Sequence, residues 1–298
     1  MNMFRDIPLV FLSGLEFGLL NSLMVIGLAV ALRFGNFPDL TVEGALSIGA
    51  AVSAIAIASG IPVPICILLG GIVGALAGIV TSSLHLLTRM SRLLAGIIVS
   101  TALYAVTLHV LNGSNFPLTG FATWYGDSAT WYERVLRSAV VLVPILLLLT
   151  TFLRTEYGLL LRASGENWSL VKKLGKPCWL YLLTTLAISN GLVGISGALI
   201  ANYNGFADVG FGIGTIVTGF ASLLIGESIL VPTTVGRQLG AAVIGAFVYS
   251  TLSAFALRLG LNPQDFKLVS AGFVLAAVVL SKITASEQDN HRIGCDPL

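Results

Sequence analysis

EYGLLLRASGENWSLVKKLGKPCW, residues Glu156–Trp179, is followed by LAISNGLVGISGALIANYNGFADVGFGIGTIVTGFASLLIGE, residues Leu186–Glu227. The first stretch carries a polar, cation-rich segment, and apolar runs long enough to cross a bilayer lie on both sides of it. Polar backbone and charged side chains without partners are too costly to stay in hydrocarbon. The segment therefore protrudes on one side. A protruding, ordered loop on an otherwise buried chain is a handle for a soluble partner.

Composition places the rest of the chain in a membrane. Of 298 residues, 56% are hydrophobic and 10% charged, against roughly 25% charged in a soluble domain. Mean hydropathy is +0.93. The net charge of +2 is no argument for a nucleic-acid partner. Charges cluster in short loops and leave long runs without any, among them Phe17–Leu32, Gly44–Leu87, Leu93–Gly126 and Pro177–Ala207. One span takes about 20 apolar residues, so Gly44–Leu87 and Leu93–Gly126 each hold more than one element. The expected fold is an all-α membrane protein, a polytopic bundle of 8–10 transmembrane helices with broken or re-entrant segments. Spans are placed near 8–33, 40–59, 62–88, 93–112, 135–153, 179–202, 212–230, 237–258 and 266–283, of which 40–59 and 212–230 are the short ones. Glycines at helical spacing, Gly70, Gly71, Gly74 and Gly78, then Gly191, Gly194 and Gly197, form ridges that let backbones approach. A transmembrane barrel would need alternating polar and apolar residues, which are not seen.

Cations set the orientation. Arg89 and Arg92, the group Arg154, Arg162, Lys172, Lys173 and Lys176, and Lys282 and Arg292 all fall on one side of a nine-span chain, which makes that side cytoplasmic. The opposite loop, Asn112–Glu133, is rich in aromatics, including Phe121, Trp124, Tyr125 and Trp131. It reads as an interfacial belt or a short surface helix. Cys66, Cys178 and Cys295 form no CxxC pair and have no neighbouring His. Two read as small buried hydrophobes and the third as a free thiol in the tail. His85 and His109 have no metal-ligand spacing, and no metal site is expected.

Within the polar segment, glycine at 165 and 175 permits turns into and out of a short helix lying across the membrane face. Ser164 or Asn167 is placed to cap it. Leu170, Val171 and Leu174 give it an apolar face flanked by charge. Polar groups inside apolar surroundings are the second constellation, since such residues mark pathways by default. The candidates for a translocation path are Asn21, Thr41, Glu43, Thr101, Tyr104, Asn190, Asn204 and Asp208. Each has a bland alternative. Glu43 is placed to close the turn after Pro38, Glu227 to pair with Arg237, and Asn21 and Asn190 to join helices. The run Asn202–Asp208 is a polar, glycine-bearing break between spans, where half-helices can present backbone groups to a solute.

Gly158, Arg162, Ala163, Leu174 and Gly175, with Gly191, Gly194, Gly197 and Ala198 in the next helix, resemble the branched-chain amino acid and sugar permease superfamily of ABC importers. Glu43–Gly44 followed by Ile48–Gly49–Ala50 is similar to that family's turn after the first span. PDLTVEGA (Pro38–Ala45), GFADVGFGIGTIV (Gly205–Val217), LLIGE (Leu223–Glu227) and Asn262–Leu268 resemble the tryptophan and tyrosine uptake subgroup. Lys176–Pro177–Cys178 departs from the family pattern at the loop exit. The resemblance covers nearly the whole chain. It implies a single transmembrane permease domain over 1–298, with a cytoplasmic coupling loop near 154–178 and a polar tail at 284–298. It further implies that Gly158, Arg162, Ala163, Ser164, Gly165, Glu166, Asn167, Leu170, Leu174 and Gly175 couple the chain to an ATPase. The implied assembly has a second permease copy, two ATPase subunits carrying ATP and Mg, and an extracytoplasmic solute-binding protein. Its place is the bacterial inner membrane. GxxxxGK[ST] is absent, so no ATP site and no catalysis are expected on this chain. The expected cargo is a small solute, an aromatic or branched-chain amino acid.

Other function classes fit the residues less well. Gly194–Ile195–Ser196–Gly197 matches the G-x-S-G of rhomboid proteases, but that chemistry needs a later His to activate Ser196, and His291 lies in the polar tail. An ion-coupled secondary transporter would use the buried carboxylates as ion sites. The chain is short for one and shows no repeat between its halves. An ABC permease for a sugar would want more hydrogen-bonding side chains along the spans.

Overall fold

The computed structural model describes residues 7–126 and 130–260, together with residue 272. Among these residues eight helices are long and apolar enough to cross a membrane. They match the first eight expected spans; the span expected at 266–283, the tail and Cys295 lie outside the described residues. With the two short helices α6 and α7, the α-helices of the described residues are α1 (Ile7–Ala29), α2 (Thr41–Ala58), α3 (Val63–Thr88), α4 (Arg92–Leu111), α5 (Trp131–Arg154), α6 (Glu156–Glu166), α7 (Trp168–Lys173), α8 (Cys178–Asn204), α9 (Thr215–Ile229) and α10 (Val235–Arg258). The loop between α4 and α5 forms no helix in its described part. Its residues Asn115–Pro117 (β1) pair antiparallel with Phe206–Asp208 (β2), because the polar break after α8 leaves backbone groups that a second strand can satisfy. Trp124 and Tyr125 of that loop turn inward. Asn202 Oδ1 accepts from the Trp124 backbone N–H at 3.0 Å, and the Tyr125 hydroxyl lies 2.9 Å from Ser138 Oγ. Burial pushes the Tyr125 phenol well above its ordinary pKa, so it stays a neutral hydroxyl.

Helix α8 is the centre of the bundle and packs against α3, α2 and α1. The two glycine ridges meet there. A Cβ on Gly74 would strike the Asn190 carbonyl, and one on Gly194 would strike the Gly70 carbonyl. Absence of side chains lets these backbones close to contact, where dispersion and polar contacts replace the hydrophobic driving force that lipid removes. Serines fasten α8 to α1: Ser189 Oγ donates to the Gly27 carbonyl at 2.7 Å and Ser196 Oγ to the Leu20 carbonyl at 2.8 Å. Ser196 is fully buried in this bond, so it is a helix-joining residue and not a nucleophile. Cys66 and Cys178 are free and buried.

Among the described residues two places break the helical regularity. Helix α1 ends in a π-helical turn, Val30–Phe34, followed by the irregular segment Gly35–Leu40. After α8 and β2, a 3-10 turn at Val209–Gly212 leads to α9. The second break descends alongside α2. Asn202, near the end of α8, contacts Ser53, whereas Val209 and Gly212 contact Ser47. Six residues of helix correspond to about 9 Å, so this segment re-enters the bundle. The 15 residues of α9 alone reach about 22 Å, short of a hydrocarbon core of about 30 Å; the spanning element is completed by the 3-10 turn, as Val209–Ile229.

Candidate functional site: a mid-bundle groove and a cationic loop

The re-entrant segment is held by α2. Ser47 Oγ accepts the Gly212 N–H and donates to the Val209 carbonyl, each at 2.9 Å. Glu43 Oε1 accepts the Gly214 N–H at 2.9 Å. Gly214 has a left-handed backbone (φ +81°) and is the N-cap of α9, so the carboxylate sits at that helix's positive end. Glu43 is also in the first turn of α2. Two helix N-termini thus converge on one carboxylate within the bundle. In the turn after Pro38, where Glu43 was one expected closing group, Asp39 supplies a bond of this kind, its Oδ1 accepting from the Thr41 N–H at 2.8 Å.

Around Glu43 lies a groove of about 220 Å³, lined by Ser47, Ser100, Thr101, Tyr104, Gly212 and Ile213. Thr101 and Tyr104 are exposed on the single chain, so the groove opens outward between α2, α4 and the re-entrant turn. Of the path candidates read from sequence, Glu43, Thr101 and Tyr104 come together here. The others do not. Thr41 is buried with its Oγ1 2.7 Å from Thr81 Oγ1. Asn190 is buried and donates to Asp39 Oδ2 at 2.6 Å and to the Leu186 carbonyl at 3.1 Å. Asn21 reaches Ser250 Oγ at 3.5 Å between α1 and α10. Asp208 accepts from the Gly210 N–H at 2.6 Å and caps the 3-10 turn. Asn204 ends α8 before the left-handed Gly205. Thr41, Asn190 and Asn21 join helices and Asp208 caps the 3-10 turn; for the buried pair, Thr41 and Asn190, these bonds offset the cost of burial. Ser47 and Ser100 were missed. Their signal was present: Ser47 lies one helical turn after Glu43, and Ser100 beside Thr101 one turn before Tyr104.

The cationic loop forms two short helices. Thr155 caps α6, accepting the Gly158 N–H at 3.2 Å, and Asn167 caps α7, accepting the Leu170 N–H at 3.0 Å. Ser164 does not cap; its hydroxyl donates to the Leu161 carbonyl at 2.7 Å. Gly165 makes no turn either. It lies inside α6 against the π turn, where a Cβ would strike the Phe34 carbonyl. Gly175 does turn the chain, with φ +69°. The apolar face divides: Val171 is fully buried, while Leu170 and Leu174 are 51% and 60% exposed. Leu159, Trp168, Glu166, Lys172 and Lys173 are exposed beside them. Arg162 is half-buried and its Nε donates to the Gly158 carbonyl at 3.4 Å, with Ala163 packed against the core. Glu227 does not pair with Arg237. It takes the Arg33 guanidinium in both oxygens, joining α9 to the π turn, while Arg237 donates to Thr233 Oγ1 at 2.9 Å. His85 and His109 hydrogen-bond the carbonyls of Met90 and Ala105. No group that could hold a metal ion occurs among the described residues.

The family model described as "Branched-chain amino acid transport system / permease component" matches residues 10–279. The chain belongs to this permease family. It is similar to the tyrosine transport system permease protein of Clostridioides difficile (strain R20291), 34% identical over 90% of each chain. An uncharacterised protein of Rickettsia prowazekii (strain Madrid E) is 32% identical over 89% of this chain and 95% of its own. The galactofuranose transporter permease protein of Escherichia coli (strain K12) is more distant, 24% identical over 87% of this chain and 75% of that one. The permease is a transport subunit of the ABC importer class for a small solute, embedded by many spans in its membrane. The secondary-transporter reading does not fit this family.

Proposed function

We propose that this permease forms, with a second copy of itself, the translocation path of an amino-acid importer in the bacterial inner membrane. The observation that carries this reading is the Glu43 groove. Glu43 offers a carboxylate to an ammonium group, and the N-termini of α2 and α9 favour a carboxylate nearby. Hydroxyls of Ser47, Ser100 and Thr101 and the ring of Tyr104 complete the lining. A zwitterion with an aromatic or apolar body fits such a wall. The similarity to a tyrosine permease supports the same cargo class. The groove opens on the surface of one chain, so a partner copy related by a two-fold axis would close it. Helices α6 and α7, with Leu170 and Leu174 outward, dock on a separate ATPase subunit that binds ATP and Mg. The Gly165 contact with Phe34 carries their displacement to the π turn. An extracytoplasmic binding protein delivers the solute.

A sugar path is the second reading, favoured by the hydroxyls of the groove and by the galactofuranose relative. Uptake by proteoliposomes of the whole assembly decides between them, with the cognate binding protein and labelled tryptophan, tyrosine, leucine and ribose. Uptake of an amino acid and not ribose is expected. Uptake of ribose alone would overturn the amino-acid reading and leave the permease assignment standing.

A further inference from the structure

A second cavity, of about 250 Å³, lies at the cation-rich end of the bundle, away from the groove. Its walls come from both the cationic loop and the bundle: Gly35 beyond the π turn, His85 of α3, Arg92 of α4, Ser164 of α6, Trp168 of α7 and Leu182 of α8. Among the described residues no carboxylate lines it. Arg92 gives one N–H to the Asn36 carbonyl and lies over the Phe37 ring at 5.8 Å. The remaining donors of its guanidinium fork pair with no carboxylate among the described residues. The Trp168 indole N–H has no acceptor there either. His85 Nδ1 donates to the Met90 carbonyl at 2.7 Å, so in the neutral ring Nε2 is an acceptor and His85 adds no free donor. The free donors of the lining are thus the Arg92 fork and the Trp168 indole, a cationic pair with no carboxylate among the described lining residues.

We propose that this cavity binds a phosphate-bearing anion, supplied either by an anionic phospholipid headgroup or as free phosphate. A guanidinium fork matches phosphate oxygens in geometry and charge. Basic pockets between transmembrane helices at the cytoplasmic side are where headgroups settle, and Trp is at home at that interface. The volume suits a headgroup and not a whole lipid. Leu93, Leu94, Ile97 and Ile98 extend from Arg92 as an exposed apolar face of α4 along which acyl chains can lie. Because α6 and α7 form one wall and α3, α4 and α8 the others, the occupant ties the cationic loop to the bundle.

Native mass spectrometry of the full chain in detergent tests this with three probes: phosphatidylglycerol, phosphatidylcholine and inorganic phosphate. One phosphatidylglycerol per chain should be retained about tenfold better than phosphatidylcholine, the loss of one charged hydrogen bond setting that scale. Arg92→Gln should lower retention by a similar factor, and Arg92→Lys should restore most of it. Leu182→Phe, which fills the cavity and touches no donor, should lower retention too; it carries the test if Arg92→Gln fails to fold. Displacement of the lipid by inorganic phosphate would identify free phosphate as a source, and no displacement would identify the headgroup. Equal retention of the two lipids, or retention unchanged in both Arg92→Gln and Leu182→Phe, would overturn the proposal.

Discussion

The Asn190 side-chain amide donates to the Asp39 carboxylate at 2.6 Å, and both residues are buried. This bond holds the irregular segment after the π turn against the central helix α8. It joins residues 151 apart in sequence. Among the described residues no cation pairs with Asp39, so hydrogen bonds from Asn190 and Thr41 are what offset its burial.

Removing the Asn190 amide leaves the Asp39 carboxylate short of one donor. Asn190→Ala should destabilise the folded permease by about 1–3 kcal/mol, read as a lower midpoint of thermal unfolding in detergent. Asp39→Asn should cost less, because the neutral amide needs less compensation in the same place. An unchanged midpoint for Asn190→Ala would show that the bond contributes nothing.

The glycine ridge gives a contrast between neighbours. Gly194→Val forces side-chain atoms into the Gly70 backbone and should cost about 1–3 kcal/mol, the range for overpacking. At Gly191 a Cβ meets Ala75 at 3.4 Å, an ordinary contact. Gly191→Ala should therefore be neutral, or gain from the helix preference for Ala of up to about 1 kcal/mol. Similar losses for both variants would refute close backbone approach as the reason for the ridge.

Coupling is checked by Gly175→Pro and Glu166→Arg. Gly175 has φ +69°, which proline cannot adopt, and Glu166 is exposed at the end of α6. Both variants should insert in the membrane yet lose most ATPase association and transport-linked hydrolysis. Parental transport in both would show that α6 and α7 are not the docking element.

Glu43→Gln removes the groove's charge while keeping a hydrogen-bond acceptor for Gly214. Uptake of an amino acid by the reconstituted assembly should fall about tenfold or more, the loss of a charged hydrogen bond being worth about 1.5–3 kcal/mol. Stability in detergent should change little. An unchanged uptake rate would remove Glu43 from the path.

Sidedness is open to thiol labelling. Cys66 and Cys178 are buried and should not react with an impermeant reagent. Glu166→Cys should be labelled in inside-out vesicles and spared in intact cells. Phe121→Cys, in the exposed part of the opposite loop, should show the reverse. Labelling of Glu166→Cys from outside would invert the orientation and sink the coupling role.

Much of the fold was legible in the amino-acid order because a bilayer admits few alternatives. Charge-free runs of span length had to become helices, since hydrocarbon offers backbone groups no other partner. The cation-rich segment between Arg154 and Lys176 had to leave the membrane, and the glycine spacing in α3 and α8 already described a close helix pair. Capping by Asn167 and the turn at Gly175 followed from side-chain chemistry one to three residues away. Local chemistry was less reliable where a distant element competed for the same group. Glu227 was free to bond Arg237 or Arg33, and the partner across the bundle won; Glu43 took Gly214, a partner no local pattern names.

The sequence by itself determined the solvent, the helices, the protruding loop and the family, because composition, period and local motifs act over a few residues. Only the tertiary structure decided which polar residues share a site. It sent the chain after β2 back along α2 and so placed Gly212 and Gly214 beside Ser47 and Glu43. It separated Asn21, Thr41, Asn190, Asn204 and Asp208 from the groove, and it put Gly165 against Phe34. These are contacts between residues more than a hundred positions apart, or between helices whose relative rotation no local pattern encodes. They arise from packing, in which a small residue or a single hydrogen bond selects one mutual arrangement of stiff helices.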